Sequence, residues 1–297
     1  MDNSYFKIKE LVCSYNRKEA NLKVVLQIDE LCIPRGNIVF IVGQSGCGKS
    51  TILEILGLMN NTILSNENTV FEFSPSEEIV YDYLTIWEKS NKLISKIRLN
   101  YFSFIFQQTN LMKNFNIYEN IAIAKMLQNS TEIESKRATN NILRSIGLEE
   151  FVIMNNGAWS KESRVFSKPQ KISGGQQQRI AFARAMVSDF KILFCDEPTG
   201  NLDPKTADNL MNYLHDEVKQ KEDATAVIVS HDLKLAVKYG DRIIKIFKQR
   251  DNNNEPYGLI NSDSVFVKEN KNWKTSRSTL SENEIIKKLG EESNETV

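Results

Sequence analysis

Two sets of residues in this chain have the chemistry of polyphosphate handling. Gly43-Gln44-Ser45-Gly46-Cys47-Gly48-Lys49-Ser50 fits the pattern G-x-x-x-x-G-K-[ST]. Glycines let the backbone turn tightly, so that successive N–H groups and a following helix N-terminus face a row of phosphates. Lys49 would reach the outer phosphates, and the Ser50 hydroxyl would ligate magnesium. The second set is Asp196-Glu197, two carboxylates that end the apolar run Ile192-Leu193-Phe194-Cys195. Successive residues of a strand point to opposite sides, so the two acids have different tasks. Asp196 suits Mg2+ and its water shell, and Glu197 suits polarising the water that attacks a terminal phosphate.

These groups need rigid elements to hold them. Ile38-Val39-Phe40-Ile41-Val42 is continuous and β-branched, which predicts a strand buried on both faces ahead of the glycine loop. A helix from about Lys49 to Met59 follows the loop. Before it, Tyr5 to Ile33 alternates in short runs, as antiparallel strands with one wet face do, and Pro34-Arg35-Gly36 makes a turn. Residues 60–100 are polar and aromatic without a clear period and read as variable strands and loops, ending in a strand from Tyr101 to Phe106. Between Asn110 and Val187 the spacing turns helical, with Ile117, Ile121 and Ala124 on one face and a capping box at Thr131 and Glu134. Strand returns at Asp189 to Cys195, a helix at Pro204 to Val218 with Asp203 as its N-cap, and strand again at Ala224 to Val229. Strands alternating with helices imply a mostly parallel sheet. After Lys248 the run Gln249 to Pro256 breaks the pattern, and the rest reads as an appendage with a last helix at Ser281 to Leu289.

Composition narrows the classes. Lys plus Arg equals Asp plus Glu at 38 each among 297 residues, so no global field attracts nucleic acid or an anionic bilayer, and no direct nucleic-acid partner is expected. The longest apolar runs are strand-length, far short of a membrane span. The first residues lack the basic-then-apolar order of a secretion signal, so a cytoplasmic address is expected. Cys13, Cys32, Cys47 and Cys195 are scattered without zinc spacing and read as free thiols.

Ile172-Ser173-Gly174-Gly175-Gln176-Gln177-Gln178-Arg179 resembles the signature motif of ABC ATPases, and it stands in the family's order between the glycine loop and Asp196. Phe106-Gln107 resembles the Q-loop, Asn201-Leu202-Asp203 the D-loop and Ser230-His231-Asp232 the switch histidine. The resemblance covers roughly Tyr5 to Lys248. It departs from the family in Ile172, which replaces a leucine, in a longer stretch between Lys49 and Gln107, and in the long tail. It implies an α/β, P-loop NTPase ABC ATPase fold, with a mostly parallel sheet core, an antiparallel β subdomain and a helical subdomain at about 110–188. Residues 1–248 would form this domain and 249–297 a C-terminal extension.

The resemblance also implies site roles. ATP would lie on Gly43, Gln44, Ser45, Gly46, Cys47, Gly48, Lys49, Ser50 and Thr51, with Tyr15 stacked on adenine. Mg2+ would take Ser50, Asp196 and Gln107. Glu197, His231, Gln107 and Lys49 would carry hydrolysis. Ser173, Gly174, Gly175 and Gln176 offer a hydroxyl and open N–H groups at a helix start, an anion site that in the family binds the ATP of the opposite subunit. Gln107 leads into the helical subdomain, so an amide sensing phosphate or metal there can also move that subdomain. His231 lies at a strand end within reach of a γ-phosphate or Glu197. His215, among Asn212, Asp216 and Glu217, reads as a solvated helix residue.

Hydrolysis would then need a dimer of two such chains. The combination with Pro198-Thr199-Gly200-Asn201-Leu202-Asp203 resembles the branch serving lipoprotein release, macrolide export and cell division, whose ATPases pair with a separate membrane-spanning, permease-type subunit. A soluble ABC ATPase acting without a membrane partner, in a defence or nucleic-acid-associated complex, is the alternative.

Overall fold

The computed structural model describes residues 3–15, 23–152, 154–155, 158–160, 163–221, 223–270 and 272–291. Strands β1 (Ser4–Ser14) and β2 (Val24–Pro34) pair antiparallel, with Phe6 opposite Ile33 and Ile8 opposite Leu31. Their burial alternates, which explains the mixed polarity of this stretch. Gly36, at φ +68°, turns the chain into β3 (Ile38–Gly43), whose first five residues are all buried. Helix α1 (Lys49–Leu56) leaves the glycine loop. Strands β4 (Ile63–Leu64) and β5 (Val70–Ser76) add to β1, and β6 (Ile79–Asp82) pairs with β5.

Residues 91–101, expected as strands and loops, instead form helix α2 (Asn91–Tyr101). Only Ile94 and Ile97 are buried in it, with Arg98 beside them half-buried and Lys92 and Lys96 exposed on the opposite side. Two buried positions are too few for a visible 3.6-residue period. The following strand is β7 (Phe102–Ile105).

Helices α3 (Ile117–Leu127), α4 (Glu132–Ser145) and α5 (Gly174–Met186) pack together, with the short hairpin β8 (Met154–Asn155) and β9 (Ala158–Trp159) between the last two. Each helix starts on a capping box, Asn116 with Glu119, Thr131 with Glu134 and Ser173 with Gln176. Such boxes satisfy two orphan amides at each start, so the sequence itself fixes where these helices begin.

The remaining elements run β10 (Ile192–Asp196), α6 (Pro204–Gln220), β11 (Thr225–Val229), α7 (Leu233–Tyr239) and β12 (Arg242–Arg250). Strands β12, β3, β11, β10 and β7 lie in that order and are parallel. Alternate residues of β3 feed different cores, Phe40 joining α5, α6 and α7, and Val39 and Ile41 joining α1 and the antiparallel strands. Both faces being covered accounts for the continuous apolar runs of these strands.

The segment after Lys248, expected as an appendage, is woven into the sheet. Strand β13 (Pro256–Ile260) lies between β2 and β12, parallel to the first and antiparallel to the second. Strand β14 (Val265–Glu269) pairs with β12, β15 (Asn272–Lys274) with β14, and β16 (Thr279–Leu280) with β15, before helix α8 (Glu282–Gly290) packs on α7. Phe266, Trp273, Ile285 and Leu289 are buried in the same core as Phe40. The polar run that breaks the strand and helix pattern is a hairpin turn between β12 and β13. In it Asn254 adopts φ +64°, and Asp251 donates its amide to the Glu255 carbonyl. Asparagine tolerates that left-handed conformation better than other side chains. Among the described residues no helix is long and apolar enough to cross a membrane.

Candidate active site

The glycine loop sits at the carboxyl end of β3, where parallel sheets present their ligands. Gly46 and Gly48 have φ of +76° and +92°, the left-handed region that other residues enter only at a cost. Gly48 caps α1 without a side-chain hydrogen bond, so the first amides of the helix are open to an anion. Lys49 folds back over the loop, and Nζ donates to the carbonyls of Gly43 and Gln44 at 2.9 Å each. Cys47 is fully buried, and burial pushes its thiol up from the ordinary value, so its contribution to a ligand is its backbone.

Ser50 Oγ donates to Asp196 Oδ2 at 3.3 Å, bringing the helix start and the end of β10 together. Burial raises the Asp196 carboxyl above its ordinary value, an effect opposed by the Ser50 hydrogen bond and reinforced by the Glu197 charge. A hydroxyl and a desolvated carboxylate, both hard oxygen donors, fit Mg2+, whose charge would offset that penalty.

Glu197 has φ +47°, costing on the order of 1 kcal/mol for a side chain of this kind. Its amide bonds to the Val229 carbonyl at 3.0 Å, and its own carbonyl accepts the Gly200 amide at 3.3 Å, which together hold the turn. The carboxylate is gripped from two sides. Gln107 Nε2 donates to Oε2 at 3.3 Å, and His231 Nδ1 lies 3.3 Å from Oε1. Two residues drawn from separate strand ends therefore converge on the carboxylate of a third. His215 stays on α6, half exposed beside Asp216 and away from this cluster.

Tyr15 is half exposed, and its hydroxyl reaches α1, 3.0 Å from Thr51 Oγ1 and 3.2 Å from Glu54 Oε2. The ring thus lies against the helix that the glycine loop opens. Ser173 is the N-cap of α5, accepting the Gln176 amide at 3.3 Å, while Gln176 Oε1 accepts the Ser173 amide at 3.2 Å. A side chain added at Gly174 would meet nothing within 4 Å. Among the described residues no hydrogen bond joins this turn to residues 43–51 of the same chain.

One residue of this region escapes sequence reasoning. Gln178 is 2% exposed, and its amide donates to the Pro198 carbonyl at 2.8 Å and accepts the Asn201 amide at 3.2 Å. A third glutamine in a row carries no mark of burial, so only the packing of α5 reveals it.

The family pattern for ABC transporters matches residues 26–200. The lipoprotein-releasing system ATP-binding protein LolD of Rickettsia bellii is 33% identical over 248 residues, covering 84% of this chain and 96% of that protein. The macrolide export ATP-binding/permease protein MacB of a Shewanella species is 30% identical over 246 residues, 83% of this chain but 33% of that protein. Among solved structures, the dimeric bacterial ABC transporter cassette MJ0796 superposes with a TM-score of 0.65 at 28% identity, over 81% of this chain and 93% of that one. A second structure of the same cassette, a post-hydrolysis state with ADP and Pi, superposes with the same score. The glycine loop and the two carboxylates stand at strand ends of the sheet, and the chain belongs to the ABC transporter family, carrying its ATP-hydrolysing cassette.

Proposed function

We propose that two copies of this chain close around two ATP molecules and drive a separate membrane-spanning partner. The observation that carries the reading is the placement of the signature turn. Ser173 to Gln176 present a hydroxyl and helix-start amides, yet are not bonded to the chain's own phosphate loop. In a symmetric pair each turn would cap the nucleotide held by the other copy.

Within one half-site Lys49 exchanges the Gly43 and Gln44 carbonyls for the outer phosphates. Tyr15 lies against the base, and the Ser50 hydroxyl, the Asp196 carboxylate and Gln107 would hold Mg2+. The ion neutralises phosphate charge when bound. Glu197 orients the attacking water and accepts its proton, while His231 holds the carboxylate and reaches toward the γ-phosphate. Gln107 joins this cluster to the stretch leading into α3, so a change at Glu197 is felt by the helices.

The relatives support the partner. LolD is named for a lipoprotein-releasing system, and MacB joins an ATP-binding part to a permease part. Phe106, next to Gln107, lines a groove with Leu99, Met112 and Leu127, which we assign as the surface engaged by the membrane partner. The shared site is tested by mixing Lys49→Ala chains with Gly175→Asp chains. Each variant alone should be inactive, and the mixture should regain partial ATP hydrolysis through one intact composite site per heterodimer. A mixture as inactive as its parents would overturn the shared site. Recovery of the chain from detergent-solubilised membranes without any membrane-spanning protein would overturn the partner.

A further inference from the structure

We propose that Gly258, in the segment beyond the motif residues, is a positioning residue for the phosphate loop. The proposal rests on the reading that residues 43–50 hold the phosphates. Gly258 lies in β13, opposite Leu26 of β2 on one side and Lys248 of β12 on the other. A Cβ built there would fall 2.0 Å from the Cys47 carbonyl oxygen, 3.0 Å from its carbonyl carbon and 2.7 Å from Ile246 Cγ2. The closest obstacle is backbone and cannot rotate away. The φ of Gly258 is not in the left-handed region, so space rather than chain conformation demands a glycine here.

The consequence for the ligand follows from peptide geometry. In a planar trans peptide the carbonyl and the next N–H point to opposite sides. The Cys47 carbonyl seated on Gly258 therefore aims the Gly48 amide away from β13, toward the side where α1 begins and phosphates bind. Pushing that carbonyl would swing the Gly48 amide with it. The loop's other contacts limit any compensating shift. A Cβ at Gly48 would lie 3.3 Å from the Val25 carbonyl oxygen, and one at Gly43 would lie 2.9 Å from the Ile246 carbonyl oxygen. Three adjacent strands, β2, β13 and β12, thus form a floor under the loop, touching it at Gly48, Cys47 and Gly43 respectively. The motif glycines announce two of these contacts; the third comes from a strand with no phosphate pattern.

The test compares ATP affinity, in the presence of Mg2+, of the full chain carrying Gly258→Ala, Leu259→Ala or Lys49→Ala, alongside the thermal midpoint of each without nucleotide. Leu259 is the next residue of the strand, where a side chain already fits, and reports on damage to β13 alone. Gly258→Ala should weaken ATP binding at least about tenfold, while Leu259→Ala lowers the thermal midpoint and keeps the wild-type affinity. Wild-type affinity in folded Gly258→Ala, or an equal loss in both strand variants, overturns the positioning role. If Lys49→Ala also binds normally, the phosphate-loop reading itself falls. If Gly258→Ala does not fold, amide exchange of the unmodified chain decides. Saturating ATP should slow exchange across residues 256–260 at least about tenfold, and unchanged exchange there overturns the proposal.

Discussion

Gln178 donates its side-chain amide to the carbonyl of Pro198 at 2.8 Å, tying the middle of α5 to the residue that follows Glu197. Through Oε1 it also accepts the Asn201 amide, so one buried side chain spans the turn after Glu197. The N-terminus of the same helix carries Ser173 to Gln176. The turn proposed above to face a second copy and the turn behind Glu197 are therefore linked through one helix.

Gln178→Ala leaves the buried Pro198 carbonyl and the partly buried Asn201 amide without this partner, a cost of about 1–3 kcal/mol. Turnover should drop by roughly tenfold or more, with ATP affinity of the isolated chain unchanged because Lys49 and its loop are untouched. Phosphate release and nucleotide titration separate the two effects. A fall in both together would place Gln178 in general stability and not in the coupling.

Glu197→Gln keeps the shape of the side chain and removes its proton acceptor. Hydrolysis should slow by about 10²- to 10⁴-fold, and an ATP-bound dimer should accumulate on gel filtration. Normal phosphate release from this variant would remove the assignment.

Tyr15 separates two roles by substitution. Tyr15→Phe loses only the hydroxyl's bonds to Thr51 and Glu54 and should change ATP affinity by less than about threefold. Tyr15→Ala loses the ring face and should weaken binding by about 0.5–1.5 kcal/mol. Equal affinities for Tyr15→Ala and wild type, by titration, would place the base elsewhere.

Trp273 is fully buried among residues of the core that includes Phe40, beside α8. Trp273→Ala should cost about 3 kcal/mol, the lower part of the usual range for large core truncations. The low figure reflects Nε1, which among the described residues has no hydrogen-bond partner and whose removal relieves a buried donor. Chemical denaturation followed by circular dichroism measures it, and a negligible change would mean that the tail is dispensable after all.

Much of the site is legible in the sequence because its chemistry depends on local order. The glycines of 43–48, the lysine after them and the adjacent acids of 196–197 occupy strand ends that their own apolar runs predict. What is not legible depends on partners distant in the chain. The convergence of Gln107 and His231 on Glu197 needs β7, β10 and β11 side by side, and a sequence states no lateral order of strands. Helix α2 hides behind its charged side chains, and the run of asparagines before β13 has the composition of a linker although it folds as a hairpin turn. Gln178 looks like its two neighbours until α5 is turned against the loop at Pro198.

The position of β13 has a bearing on biosynthesis. Strand β13 completes the join between β12 and β2, which lies far earlier in the chain, so closure of the sheet waits on contacts of large sequence separation. Such contacts form slowly, because a long loop must be ordered before they repay it. On a ribosome the antiparallel layer and the parallel core would both exist before the strand that unites them emerges. A chain synthesised only as far as β12 lacks this seam, and the strand that lies against Cys47 is laid only when β13 follows.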